Sequence, residues 1–227
     1  MPMQISQHTL DFFTDLRYNN NKEWFHNNQP RYKLVKNNIR NFMQYLDNRL
    51  NEVDVIERFK ISRINRDIRF SKDKTIYKDY FWGSFIRFGW ERRGGYVLSV
   101  DQEGRSFCGG GFFKPNPTDL LRIRKEFEVD ENTINEIIQS ESFRNTFGNL
   151  RGEQVKTSPR GFSKDLPNID LIRMKQFTVR RPFTNAEVVR KDFVEQVFET
   201  YLELRPFFDY MSSVLTTDLN GVPLLIS

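Results

Sequence analysis

Histidine is nearly absent from this chain of 227 residues: only His8 and His26 occur. Both fall in stretches that read as N-terminal helix. A Ser-His-Asp or Cys-His mechanism would need one of them to reach a nucleophile far along the chain, so these chemistries are set aside. Cysteine is scarcer still. Cys108 stands alone, which rules out an intrachain disulfide and leaves no Cys/His spacing for zinc. A lone thiol fits a reducing compartment, and within a predicted strand Cys108 reads as a packing residue. No uninterrupted apolar run approaches the ~20 residues that cross a bilayer. The opening Met1–Ser6 has neither the basic nor the apolar region of a secretion signal. The expectation is a soluble, cytoplasmic protein that makes no membrane contact and uses no metal or cofactor.

What the chain does have is rings and charge. It carries 22 Phe, with an aromatic fraction of 15% and a charged fraction of 29%. This is the composition of a globular protein with a core built from rings. The N-terminal third reads as helix. Leu10, Phe13 and Leu16 recur at helical spacing within 6–17, Asn19-Asn20-Asn21 interrupts, and one of these Asn caps a turn that carries Trp24-Phe25. Pro30 opens a longer helix whose stripe is Val35, Ile39, Phe42, Leu46 and Leu50. Residues 80–113 read as an antiparallel meander, with turns at 91–95 and 102–105. Its last strand holds Gly109-Gly110-Gly111, which lacks the Gly-Lys-Ser/Thr of a phosphate loop and reads as a bulge or close packing point. Asn116-Pro117 is a capped helix start, with a second helix over 131–139. Residues 172–180 read as a strand and 186–204 as a helix. Pro206 ends or kinks that helix, and a shorter one follows over 207–215. The expected architecture is one α+β domain over 1–227, a central antiparallel sheet flanked by N-terminal and C-terminal helices.

The charge is local. Residues 58–78 hold eight Lys or Arg against two Asp, a net of +6, whereas the whole chain carries +5, so the remainder sums to −1. Period-two alternation over 62–70 predicts a strand with Ser62, Ile64, Arg66, Ile68 and Phe70 facing a core. Arg63, Asn65, Asp67 and Arg69 then face solvent, and Ser71-Lys72-Asp73-Lys74 forms the following loop. Such a strand-loop suits an anion, because arginine offers planar bidentate donors to phosphate or carboxylate. The candidate anion-binding residues are Arg63, Arg66, Asp67, Arg69, Ser71, Lys72, Asp73, Lys74 and Lys78, with Arg160 of the basic loop 156–165 as an opposite wall. The competing reading is internal pairing. Same-face neighbours lie about 7 Å apart, where unit charges interact by about 2 kcal/mol, enough for Asp67 to hold Arg69 or Arg63.

Several phrases coincide: Asn19-Asn20-Asn21-Lys22-Glu23-Trp24-Phe25, then Arg63 to Lys74 followed by Tyr77-Lys78, then Gly109-Gly110-Gly111 before Pro115 and Pro117, and Ser158-Pro159-Arg160-Gly161-Phe162. Together they resemble the bacterial family called domain of unknown function 2461. The resemblance covers most of the chain, and its most specific phrase is Arg66-Asp67-Ile68-Arg69-Phe70-Ser71-Lys72-Asp73-Lys74. It implies no particular activity, cofactor or catalytic residue. Asp79 departs from the Thr that members often carry after Tyr-Lys.

Three functional classes follow from the residues. The first is a binding protein for an anionic small molecule or nucleic acid, using the basic strand-loop at 63–74, with Tyr77, Tyr80 or Trp82 for stacking. The second is a metal-dependent phosphoryl or phosphodiester hydrolase, in which Asp67, Asp73 and Asp79 gather Mg²⁺ and Arg66 and Lys72 stabilise charge. The third is an interaction scaffold that docks an acidic protein surface. The rings have a competing role in the core, where this chain uses most of its aromatics.

Overall fold

The computed structural model describes residues 3–224. Helix α1 (Gln7–Tyr18) buries Leu10, Phe12, Phe13 and Leu16. Asn21 caps α2 (Lys22–Asn27) by accepting the Trp24 N–H at 2.9 Å. Pro30 sits in the first turn of α3 (Gln29–Leu50), and the expected stripe Val35, Ile39, Phe42, Leu46 and Leu50 is buried. Lys36, Asn37, Arg40, Asn41 and Asn48 on the opposite side are exposed. Five large apolar side chains removed from water contribute roughly 1.5–3 kcal/mol each, far more than helix propensity does.

Strands β1 (Ile56–Ile61), β2 (Tyr80–Arg87), β3 (Gly95–Asp101), β4 (Ser106–Phe112) and β5 (Phe177–Phe183) form one antiparallel sheet in sequential order. The meander and its two turns stand as the turn residues predict. Between β4 and β5 come α4 (Pro117–Val129), α5 (Asn132–Gln139), α6 (Glu141–Phe147) and the short α7 (Ile169–Ile172). After β5 come α8 (Asn185–Val188), α9 (Phe193–Glu203) and α10 (Arg205–Thr216). Asn116 caps α4 by accepting the Asp119 N–H, with Pro117 as the first helical residue. The fold class is α+β, as expected.

Two expected elements shift. The strand predicted over 172–180 begins only at Phe177: Ile172 ends α7, and residues 173–175 pair with 153–155 through Val155 N–H to the Arg173 carbonyl at 3.0 Å and Lys175 N–H to the Glu153 carbonyl at 2.8 Å. The helix predicted over 186–204 is two helices. Thr184 and Glu187 form a capping box for α8. The Arg190 guanidinium forks onto Asp192 at 2.9 and 2.8 Å and closes the turn before α9.

Contacts within the chain form two compact units. The first holds the chain up to Ile86, Val97–Cys108 and Pro182–Glu199; the second holds Arg87–Tyr96, Gly109–Arg181 and the chain from Thr200. Every boundary falls inside a regular element (β2, β3, β4, β5 or α9). In the first unit Phe193 stacks on Phe42 at 5.5 Å and meets Phe183 edge-on at 5.1 Å. In the second, Tyr96 packs on Tyr201 and Phe208, each at 4.9 Å, and Phe112 meets Phe207.

The glycine run belongs to this second core. A Cβ at Gly109 would collide with the Val179 carbonyl, and one at Gly110 would lie 2.6 Å from the Gly95 carbonyl and 2.9 Å from the Phe208 ring. The run therefore admits neighbouring backbone and α10, in keeping with the packing expectation.

Candidate anion-binding loop

The basic stretch lies in the first unit, between β1 and β2. The strand predicted over 62–70 does not form: β1 ends at Ile61, and Ser62 makes one last bond, N–H to the Trp82 carbonyl at 2.9 Å. Beyond it the chain runs out and back as a loose hairpin with a single bridge, Asn65 to Tyr77. That bridge is flanked by Arg66 N–H to the Ile76 carbonyl at 2.9 Å and Lys78 N–H to the Ile64 carbonyl at 2.7 Å.

Local side-chain bonds explain the lost ladder. Asp67 accepts from the Arg69 N–H at 3.3 Å, and Asp73 accepts from the Thr75 N–H at 2.9 Å, two turns of the Asx kind. Lys74 donates to the Ile68 carbonyl at 3.1 Å and Lys78 to the Arg63 carbonyl at 2.8 Å. The alternation survives in exposure without the ladder: Ser62, Ile64, Arg66 and Ile68 are half-buried, while Arg63, Asn65, Asp67 and Arg69 are exposed. Phe70 breaks it. Expected to face the core, its side chain is 96% exposed.

The loop pairs part of its charge internally. Arg69 grips Asp67 with two parallel bonds of 2.9 and 2.6 Å, which pulls the Asp67 carboxyl below its ordinary range. Arg66 pairs with Asp73 and with the Thr75 hydroxyl. The Thr75 N–H, and after it Arg66, hold Asp73 down at about 2. Lys78 is pushed below its ordinary value, first by burial and then by the neighbouring Arg63 and Arg66 charges. Arg63 and Lys72 are exposed, and among the described residues neither side chain has a hydrogen bond or ion pair. Ser71 is half-buried at the turn, where its N–H reaches the Ile68 carbonyl.

The return limb is clamped from the N-terminal helices. The Asn20 side chain accepts the N–H groups of Ile76 and Tyr77 at 3.0 and 2.9 Å and donates to the Tyr77 carbonyl at 2.9 Å. The Tyr77 ring stacks on Phe25 at 4.1 Å. The sequence marks Asn19–Asn21 as a helix break, and the Asn20 clamp is a role that periodicity does not reveal. Tyr77 and Phe25 also line an open cleft of about 450 Å³ with Lys22, Glu23 and His26, a balanced set of charges with no anion preference.

Among the other candidates, Tyr77 is buried, and Tyr80 and Trp82 are half-buried, Trp82 edge-on to Phe107 at 5.6 Å. Asp67, Asp73 and Asp79 do not converge: each faces a different arginine, Arg69, Arg66 and Arg17 respectively. Among the described residues there is no group of three or more His, Cys, Asp or Glu able to hold a metal. Arg160 is exposed in the second unit, on a turn closed by the Phe162 N–H to the Pro159 carbonyl, with Phe162 buried beneath Lys125.

The protein is an α+β scaffold that holds out a cationic hairpin on an asparagine clamp. The chain belongs to the family described as conserved hypothetical protein (DUF2461), which it matches over residues 8–210. No curated protein and no solved structure matches it. Among the described residues no helix is long and apolar enough to cross a membrane.

Proposed function

We propose that the protein binds an anionic, phosphate-bearing ligand through the loop 62–78. One observation carries this reading: both carboxylates of the loop are engaged by Arg66 and Arg69, while Arg63 and Lys72 stand exposed with no partner among the described residues. Residues 63–78 hold six Lys or Arg against two Asp, so the loop keeps a net charge of +4 after internal pairing. The paired residues fix the shape, and the unpaired ones supply donors. Lys74 and Lys78 add to these, because an ammonium that donates once to a carbonyl retains two further N–H groups. A bound phosphate would also offset the mutual repulsion of Arg63, Arg66 and Lys78. The reading includes action in the cytoplasm, in line with the single buried thiol. The hydrolase reading has less support, because Asp67 and Asp73 sit in separate ion pairs instead of converging on one point.

A thermal-shift series tests this. Inorganic tripolyphosphate, nucleotides and sugar phosphates are added at low salt to the wild type and to the Arg63→Ala/Lys72→Ala variant. At a hundredfold excess over Kd, a ligand adds about 2.7 kcal/mol of stability. The expected result is a raised Tm in the wild type and a flat response in the variant, whose unliganded Tm matches the wild type. No shift with any anion, or equal shifts in both proteins, would overturn the reading and favour docking to a protein surface.

A further inference from the structure

We infer that the phosphate-bearing ligand of this loop is single-stranded nucleic acid, with Phe70 as the platform on which a base stacks. This rests on the anion-binding reading above and narrows it. The starting point is the exposed ring. In a protein that buries most of its 22 Phe, Phe70 projects at 96% exposure from a hairpin tip flanked by Arg69 and Lys72. Among the described residues no ring or cation contact engages it. Leaving a large apolar surface in water is unfavourable.

The chemistry around the ring selects the partner. Single-strand sites combine cations that track the phosphates with an aromatic face on which a base stacks, and both are present within eight residues of Phe70: Arg63, Lys72, Lys74 and Lys78 supply the charge. A closed duplex would have to be unstacked to accept the ring, at a cost that a free strand does not bear. A membrane surface would need more apolar area than one ring. Ile64, Ile68 and Ile76 are half-buried and Tyr77 is buried, so Phe70 is the only exposed large apolar side chain of the loop. The asparagine clamp at Ile76 and Tyr77 anchors the return limb, so the tip is presented from a fixed base.

Fluorescence anisotropy with a labelled 15-nucleotide oligo(dT), and with the same strand annealed to oligo(dA), tests the inference. The wild type is expected to bind the single strand at least about tenfold tighter than the duplex. Phe70→Ala should weaken single-strand binding by about tenfold and leave the salt slope unchanged, and Phe70→Trp should restore the affinity. Arg63→Ala/Lys72→Ala should instead flatten the salt slope, by about 0.7 for each phosphate no longer neutralised. Unchanged Tm values would show that the variants are folded. If Phe70→Ala binds like wild type while Arg63→Ala/Lys72→Ala is weakened, the stacking inference falls and the anion reading stands. If neither oligonucleotide binds but tripolyphosphate still raises Tm, the nucleic-acid inference falls alone. If tripolyphosphate also fails, both fall. Loss of partitioning into phosphatidylserine-containing vesicles on Phe70→Ala, with oligo(dT) binding intact, would overturn the inference in favour of a lipid surface.

Discussion

Strand β2 and the outgoing limb of the basic hairpin share an alternating pattern of burial and come to different ends. In β2, Phe81, Gly83, Phe85 and Arg87 are buried, while Tyr80, Trp82, Ser84 and Ile86 are half-buried. A helix backs the strand: a Cβ at Gly83 would lie 2.6 Å from the Met43 side chain of α3. Over 62–69 the inward set reaches only half-burial, the ladder is reduced to one bridge, and Phe70 emerges into solvent. Alternation thus records which side of an extended chain faces inward. Whether a strand continues depends on what lies beneath it and on whether side chains claim the backbone first. In the hairpin, Asp67, Asp73, Lys74 and Lys78 claim it.

The largest expected effect sets one phenylalanine against another. Phe85→Ala removes a ring that is 1% exposed and should cost about 3–5 kcal/mol in urea denaturation. Next comes the clamp. Asn20→Ala removes three bonds to the backbone of Ile76 and Tyr77, leaves two N–H groups unsatisfied, and should cost about 2 kcal/mol. It should also speed proteolysis within 62–78 ahead of the rest of the chain. Uniform proteolysis would mean that the hairpin is held by something other than Asn20.

A smaller effect follows from Asp73. Its folded pKa of about 2 lies below the unfolded value of 3.8. The order it provides is therefore complete above about pH 4 and lost as pH falls through about 2. The Thr75 amide resonance should titrate with a midpoint near 2, and Asp73→Asn should abolish that titration with little change in Tm. The smallest effect closes the contrast: Phe70→Ala should change stability by less than about 0.5 kcal/mol, because its ring is 96% exposed.

Much of the fold is legible in the sequence because its signals are local. The α3 stripe, the Asn21 and Asn116 caps and the meander turns each follow from a few neighbouring residues. The misplaced elements are those decided at a distance. Residues 173–175 find their backbone partners at 153–155 and not in β4, and Asn20 reaches 57 residues to Tyr77. The charge of the loop is legible as a count, but its division into paired Arg66 and Arg69 and unpaired Arg63 and Lys72 is not. That division depends on which guanidinium the folded hairpin turns toward which carboxylate. Phe70 illustrates the same limit, since its place on the apolar face of the pattern gives no sign that the core ends before it.

The most direct test of the account is amide hydrogen exchange across the whole chain, with and without tripolyphosphate at low salt. The account predicts slowed exchange concentrated at residues 62–78, lost in Arg63→Ala/Lys72→Ala. Protection confined to 156–165 around Arg160, or no protection anywhere, would contradict it.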